Sequence, residues 1–239
     1  VLWILVDDIS PNLSCFGETL IATPNLDQLA SEGTRFTRAY VSGPICSPSR
    51  TGMLTGMYQT SMGGHHHRSG NQNNNGFSVV NLPAAVRTVP ELFKAAGFYT
   101  SHMGKTDENF ARSGLWDKAY KPPALPRKPD YRQLWAGRGG KPFFAQMSLI
   151  GPKNKKVAGP NPVDPDDVVL PPYYANDPAL RNNWAQYLNS IERTDYEVKD
   201  ALDALRADNL FNNTIIVFAG DNGIAHLRGK QFLTEDGTQ

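Results

Sequence analysis

The chain has 239 residues, with 24 Lys+Arg, 23 Asp+Glu and a formal net charge of +1 at pH 7; this length suits one sizeable core. The charge balance gives no electrostatic reason to expect nucleic acid or an anionic membrane, and no apolar run approaches the ~20 residues of a bilayer-spanning helix. Two cysteines make no disulfide framework and leave the redox compartment open.

Residues 1–8, VLWILVDD, are an apolar run that ends in two carboxylates, as in a strand buried on both faces of a parallel sheet. TPNLDQLASEG then reads as a helix with Thr23 as N-cap, Pro24 at its first position and Gly33 past its end. In GPICSPSRTGMLTG (43–56) Pro48 suits a first helical turn that Ser47 or Ser49 would cap, with Cys46 and Arg50 beside it. A cysteine there is either a low-pKa thiolate favoured by the helix N-terminus or a small buried residue. TVPELFKAAGF opens a further helix at Thr88, with Leu92, Phe93 and Ala96 as its apolar face and Gly97 closing it.

FYTSHMG and PFFAQMSL (142–149) follow as strands. The longest helical pattern covers 182–208, where Trp184, Tyr187, Leu188, Ile191, Val198, Leu202 and Leu205 recur at helical spacing. TIIVFAGDNG is a last strand that ends in a turn. Strands alternating with helices predict an α/β fold with a mostly parallel central sheet flanked by helices. Two stretches stand outside the pattern: the polar loop 63–76 and the proline- and cation-rich segment 115–135.

In open α/β sheets ligands sit beyond the carboxyl ends of the strands. The first strand ends in Asp7-Asp8 and the last in Asp221-Asn222-Gly223. Either pair alone reads as turn caps. Both pairs, each after a buried strand, point to a hard cation such as Ca²⁺ or Mg²⁺.

Cys46-Ser47-Pro48-Ser49-Arg50 followed by Thr51-Gly52-Met53-Leu54-Thr55-Gly56 resembles the signature of the type I sulfatases in the alkaline-phosphatase superfamily. ILVDD, TPNLDQLASEGTRFTRAY, AAGFYTSHMGK and VFAGDNG resemble further blocks of that family in the expected order. The resemblance implies an alkaline-phosphatase-like fold, with residues 1–239 as the N-terminal catalytic domain of a longer, exported chain (periplasmic, extracellular or lysosomal) whose signal peptide and smaller C-terminal subdomain lie outside this segment.

It also implies that a formylglycine-generating or anaerobic sulfatase-maturating enzyme converts Cys46 to formylglycine, whose hydrated aldehyde is the nucleophile. Asp7, Asp8, Asp221 and Asn222 would bind Ca²⁺ (Mg²⁺ or a transition metal being alternatives) together with an oxygen on the modified residue 46. Arg50 matches the arginine that holds the modified side chain, and Lys105 and Lys230 match lysines that contact sulfate oxygens.

This chain departs from the family twice. Gly104-Lys105-Thr106-Asp107 stands where many relatives have Gly-Lys-Trp-His, and Pro152-Lys153 stands for Pro-His. Candidates to replace those histidines are His226 and either His66 or His67, from the run His65-His66-His67-Arg68. Asp107, Lys153 and Arg228 are further candidates for substrate contact, since GKTD and AHLRGKQF resemble a carbohydrate-acting subgroup. Lys153, Lys155 and Lys156, with the basic stretch 118–132, are candidate contacts to a polyanionic glycan. The implied function is hydrolysis of sulfate esters, with a sulfated glycan as substrate. The alternatives are a phosphonate monoester or phosphodiester hydrolase, a sulfamidase, or a non-catalytic sulfated-glycan-binding fragment.

Overall fold

The computed structural model describes residues 1–67, 80–110, 113–124, 127–155 and 158–239. Its centre is a five-stranded sheet built from β1 (Leu2–Val6), β2 (Tyr99–Met103), β3 (Lys118–Tyr120), β4 (Phe143–Leu149) and β5 (Ile216–Gly220). The order is β3-β2-β4-β1-β5 and every pairing is parallel, so all strand carboxyl ends share one edge. The helices are α1 (Pro24–Ser31), α2 (Cys46–Thr55), α3 (Val89–Ala95), α4 (Gln133–Ala136), α5 (Pro178–Ala207) and α6 (Glu235–Thr238).

Alternation along β1 divides the two faces. Leu2, Ile4 and Val6 join the main core with Ile191, Val198, Leu202 and Leu205 of α5. Trp3 faces the other way, onto a smaller cluster of Leu54, Phe110 and Leu115. Likewise Phe144 of β4 stacks on Phe93 and Trp116, with centroids 4.4 and 5.8 Å away. Helices thus cover both faces, the reason the strands read as continuous apolar runs.

The apolar spacing of α5 marks its buried seam correctly. The helix begins four residues before the predicted 182, because Asp177 caps it by accepting from the Ala179 amide at 2.8 Å and Pro178 suits its first turn. Thr23 occupies the N-cap position of α1, yet its side chain does not cap. The free amides there go to Asp195 of α5, whose Oδ1 accepts from the Leu26 amide at 2.8 Å. The expected apolar face of α3 is corrected: Leu92 and Ala96 are exposed and Phe93 alone reaches the aromatic stack, while Thr88 and Glu91 form the capping box. Segment 115–135 also holds β3 and the start of α4, elements too short to leave a periodic signal. Among the described residues no helix is long and apolar enough to cross a membrane.

Candidate active site

Sheet register builds the site. Val6 aligns with Leu149 on one side and Gly220 on the other, so the next residues of β1 and β5, Asp7-Asp8 and Asp221-Asn222, emerge side by side. Asp8 turns the chain with φ 59°, a left-handed conformation that aspartate tolerates better than most side chains. Met103 aligns with Met147, so the chain after β2 brings Lys105 and Asp107 to the same edge. Gly104 makes that turn at φ +98°, where any Cβ would collide with the Ser148 carbonyl.

Helix α2 points its first residue, Cys46, into this edge, and residues 46–52 are all buried. Ser47 and Ser49 are not its caps: Ile45 holds the N-cap position, and the Ser47 hydroxyl donates to the Asp107 carbonyl.

Arg50, fully buried, ties the strand ends together. Its Nη2 donates to Asp7 Oδ1, its Nε to Asp221 Oδ2 at 2.8 Å and its Nη1 to Ser148 Oγ at 2.9 Å. Lys105 Nζ lies 2.8 Å from Asp7 Oδ2 and 3.2 Å from Asp107 Oδ2. Lys153 Nζ approaches Asp7 Oδ2 at 3.4 Å. Lys230 Nζ donates to Asp8 Oδ1 at 2.6 Å and to Cys46 Sγ at 3.0 Å. Asp7, Asp8, Asp107 and Asp221 are therefore met by Arg50, Lys105, Lys153 and Lys230, four charges of each sign, as buried carboxylates require.

The electrostatics follow from this packing. Burial opposes ionisation of Asp7, but Arg50 and Lys105 outweigh it and hold its carboxyl below the usual range. Burial raises Asp221, and the negative charge of Asp7 adds to that rise against Arg50. Burial, then Asp221, pushes the Cys46 thiol up, the direction of a small buried residue rather than of a low-pKa thiolate. Lys105 and Lys230 stay above their ordinary value because Asp7 and Asp8 respectively overcome burial.

Ligand atoms of Asp7, Cys46 and Asp221 all lie within 4.8 Å of one another. Asp8 Oδ1 is 3.8 Å from Cys46 Sγ and accepts from Asn222 Nδ2 at 3.0 Å. The other amide atom, Asn222 Oδ1, is buried without a hydrogen-bond donor among the described residues. Such an orphaned oxygen is costly. With three neighbouring carboxylates it makes an all-oxygen donor set that fits a hard divalent cation.

The other candidates divide. His67 joins Cys46 and Asp107 in a second cluster within 4.8 Å, and burial lowers its pKa. His66 turns instead to Asn109, with Nε2 2.8 Å from Asn109 Nδ2. His226 packs among Trp184, Tyr174 and Tyr187 and its Nε2 is 3.1 Å from Lys155 Nζ; burial and then Lys155 lower its pKa to about 4. Arg228 lies over the Tyr173 ring at 4.8 Å. The contacts of His226 and Arg228 thus lie outside the charged centre.

Lys128 and Arg132 of the basic stretch pair with Asp200 in the far half of α5 and Asp208 just past its end, away from the site. Arg68 and Lys156 lie outside the described residues, as does 68–76 of the polar loop. Sequence reasoning missed Ser148, which shares Arg50, and Asn109, which links His66 to the Thr51 hydroxyl; a lone Ser in a strand and a lone Asn in a turn carry no motif.

An ulvan-active sulfatase of Formosa agariphila is 27% identical over 279 residues, covering 99% of this chain and 46% of that protein. The human N-sulphoglucosamine sulphohydrolase is 27% identical over 276 residues, covering 99% of this chain and 53% of that one. The chain thus spans about half the length of these curated relatives. Among solved structures, the phosphonate monoester hydrolase of Agrobacterium radiobacter superposes with a TM-score of 0.75 at 20% identity, covering 99% of this chain and 66% of that one, a likeness of fold. The alkaline-phosphatase-like sheet expected from the resemblance is the fold found. The model of the Sulfatase family matches residues 1–239, and the chain belongs to that family.

Proposed function

We propose that residues 1–239 form the catalytic domain of an enzyme that hydrolyses sulfate esters on a sulfated carbohydrate, with residue 46 as nucleophile. The observation that carries this reading is the convergence of Asp7, Asp8, Asp221 and Asn222 on Cys46, with Asn222 Oδ1 buried and unpartnered. These four residues would hold a divalent cation, Ca²⁺ being the best match to oxygen donors. When bound, the cation supplies Lewis acidity that favours an ionised oxygen nucleophile near neutral pH.

The nucleophile is proposed to be formylglycine derived from Cys46, as the motif Cys46-Ser47-Pro48-Ser49-Arg50 implies; the bare thiol, pushed up by burial, would be a weak nucleophile there. Residues 46–50 are all buried, so a formylglycine-generating or anaerobic sulfatase-maturating enzyme would reach them before α2 packs. Arg50 is a positioning residue: its guanidinium fork fixes Asp7 and Asp221. Lys105, Lys153 and Lys230 keep part of their surface exposed at the site and would exchange carboxylate partners for sulfate oxygens. His67, near Cys46 and Asp107, would donate a proton to the leaving oxygen. The negative charge of a bound sulfate ester would raise its pKa towards the working range.

The test is sulfate release from 4-methylumbelliferyl sulfate and from sulfated disaccharides by the matured chain, with a phenylphosphonate ester as comparator. Sulfate release that disappears in Cys46→Ala is the expected result. Faster hydrolysis of the phosphonate ester, or full sulfate release by Cys46→Ala, contradicts it. An N-sulfated glucosamine probe belongs in the series because the N-sulphoglucosamine relative matches as much of the chain as the ulvan-active one.

A further inference from the structure

Next to the charged centre, the turn after β4 and the N-terminal half of α5 border an open cleft of ≈ 700 Å³ lined by Lys153, Asn154, Lys155, Asn183, Gln186 and Asn189, with Ala158. That size falls within the ~300–1,000 Å³ of small-molecule sites. Lys153 belongs to both regions, since its ammonium also lies 3.4 Å from Asp7. The cavity therefore opens beside the place where a sulfate would react.

Its lining is rich in amides. Asn183, Gln186 and Asn189 recur every three residues and form one stripe of α5, while Trp184, Tyr187 and Leu188 between them are buried in the core. Asn189 braces the wall: its Oδ1 accepts from the Val163 amide at 2.7 Å and its carbonyl from the Gly159 amide at 3.0 Å. Below, Arg193 holds the turn through the carbonyls of Gly151 and Asn154 at 2.7 and 2.9 Å. On this fixed frame Gln186 is half-buried, and its side-chain amide has no hydrogen-bond partner among the described residues.

Lys155 distinguishes the cavity from a neutral sugar cleft. Its Nζ donates to Asn183 Oδ1 at 2.7 Å and lies 3.1 Å from His226 Nε2. Both partners are neutral, and among the described residues Lys155 forms no ion pair. Lys105, Lys153 and Lys230 each have a carboxylate. A half-buried ammonium hydrogen-bonded to an amide and set against an imidazole favours an incoming anion; burial lowers its pKa, and the more distant Asp8 charge only partly opposes that.

We propose that this cavity is the saccharide subsite of the enzyme and selects a sugar bearing a second anionic group, a carboxylate or a further sulfate. Lys155 reads that charge, and Asn183 and Gln186 bond to neighbouring hydroxyls, each amide offering donors and an acceptor. The inference rests on the sulfated-carbohydrate reading above and names the substrate class for the same site.

The test is calorimetric binding to the full chain carrying Cys46→Ala to block turnover. The probes are a monosulfated uronate disaccharide, its carboxyl-reduced counterpart and a disulfated disaccharide without uronate. At least one doubly anionic probe should bind about 10–100-fold more tightly than the carboxyl-reduced one, the range of a charge-assisted hydrogen bond. The better of the two identifies the second anion as carboxylate or sulfate. Adding Lys155→Met or Gln186→Glu should bring that ratio to within about 2-fold, and Lys155→Arg should restore most of it. Equal binding of all three probes, or a preference that survives both Lys155→Met and Gln186→Glu, overturns the proposal. Hydrolysis of 4-methylumbelliferyl sulfate by the matured wild-type chain is run alongside: its absence would count against the sulfatase reading while leaving the binding preference to stand or fall alone.

Discussion

At the charged centre Asp7, Asp8, Asp107 and Asp221 face Arg50, Lys105, Lys153 and Lys230, charge against charge. Two residues beyond Lys153, Lys155 contacts Asn183 and His226 and forms no ion pair among the described residues. The centre is assembled from the ends of β1, β2, β4 and β5 and the start of α2, residues as far apart in sequence as Asp8 and Lys230. The cavity beside it is mainly one stripe of α5 and one turn. Buried charges persist only when paired, so the centre is cross-linked and, on the proposed reading, a ligand would enter it by exchanging partners. The cavity keeps a cation against a neutral amide and imidazole, which in our proposal would let it choose between substrates.

The comparison breaks most sharply at the nucleophile. Cys46→Ala should lower sulfate release by at least about 10³-fold, as loss of an attacking group does elsewhere, whereas Gln186→Glu should alter substrate preference far more than hydrolysis of an aryl sulfate. Equal effects of the two on aryl sulfate turnover would show that centre and cavity are not separable.

Arg50→Met comes next. It leaves the Asp7 and Asp221 carboxylates buried with one cross-link fewer, and removal of one partner from such a pair costs about 3–5 kcal/mol. Chemical denaturation should read that loss directly. Arg50→Lys should recover only part of it, because a lysine cannot span Asp7, Asp221 and Ser148 at once.

These two residues also mark how far the sequence could be read. Cys46 and Arg50 stand in one contiguous motif, and Asp7-Asp8 and Asp221-Asn222 each follow a buried apolar run, so a parallel sheet brings them to one edge. The strands and the α5 seam were legible for the same reason: continuous or periodic burial leaves a pattern in the chain. Three-residue β3 and four-residue α4 leave none. The placement of the histidines was not legible either. His226 follows the Asp221-Asn222 turn closely, but its side chain is drawn into the Trp184, Tyr174 and Tyr187 rings, whereas His67, on the loop after α2, reaches Cys46 and Asp107. Loop direction decides that difference, and no spacing rule encodes it.

Asn222→Ala should weaken Ca²⁺ binding by at least about 10–100-fold, the scale already seen when an outer-shell partner of a metal ligand is removed, while Asn183→Ala should leave Ca²⁺ affinity unchanged. A calcium titration of both variants would expose any direct role of the cavity in cation binding.

The smallest effect is a pH dependence carried by His226. Its pKa is about 4 in the fold against an ordinary 6.5. Between those values the unfolded chain binds more protons than the folded one, so stability contributed by the neutral imidazole is complete above about 6.5 and falls as pH drops towards 4. Thermal melts across that window should have a shallower slope in His226→Gln than in the wild type; parallel slopes would mean that the imidazole is not held neutral by its burial and Lys155.

The central claim is that one divalent cation is held by Asp7, Asp8, Asp221 and Asn222 beside residue 46, and calorimetric titration of the metal-stripped chain with Ca²⁺ tests it most directly. The account predicts a single saturable site that Asp8→Asn and Asp221→Asn each weaken severely. Absence of saturable binding, or an affinity indifferent to both substitutions, would contradict it.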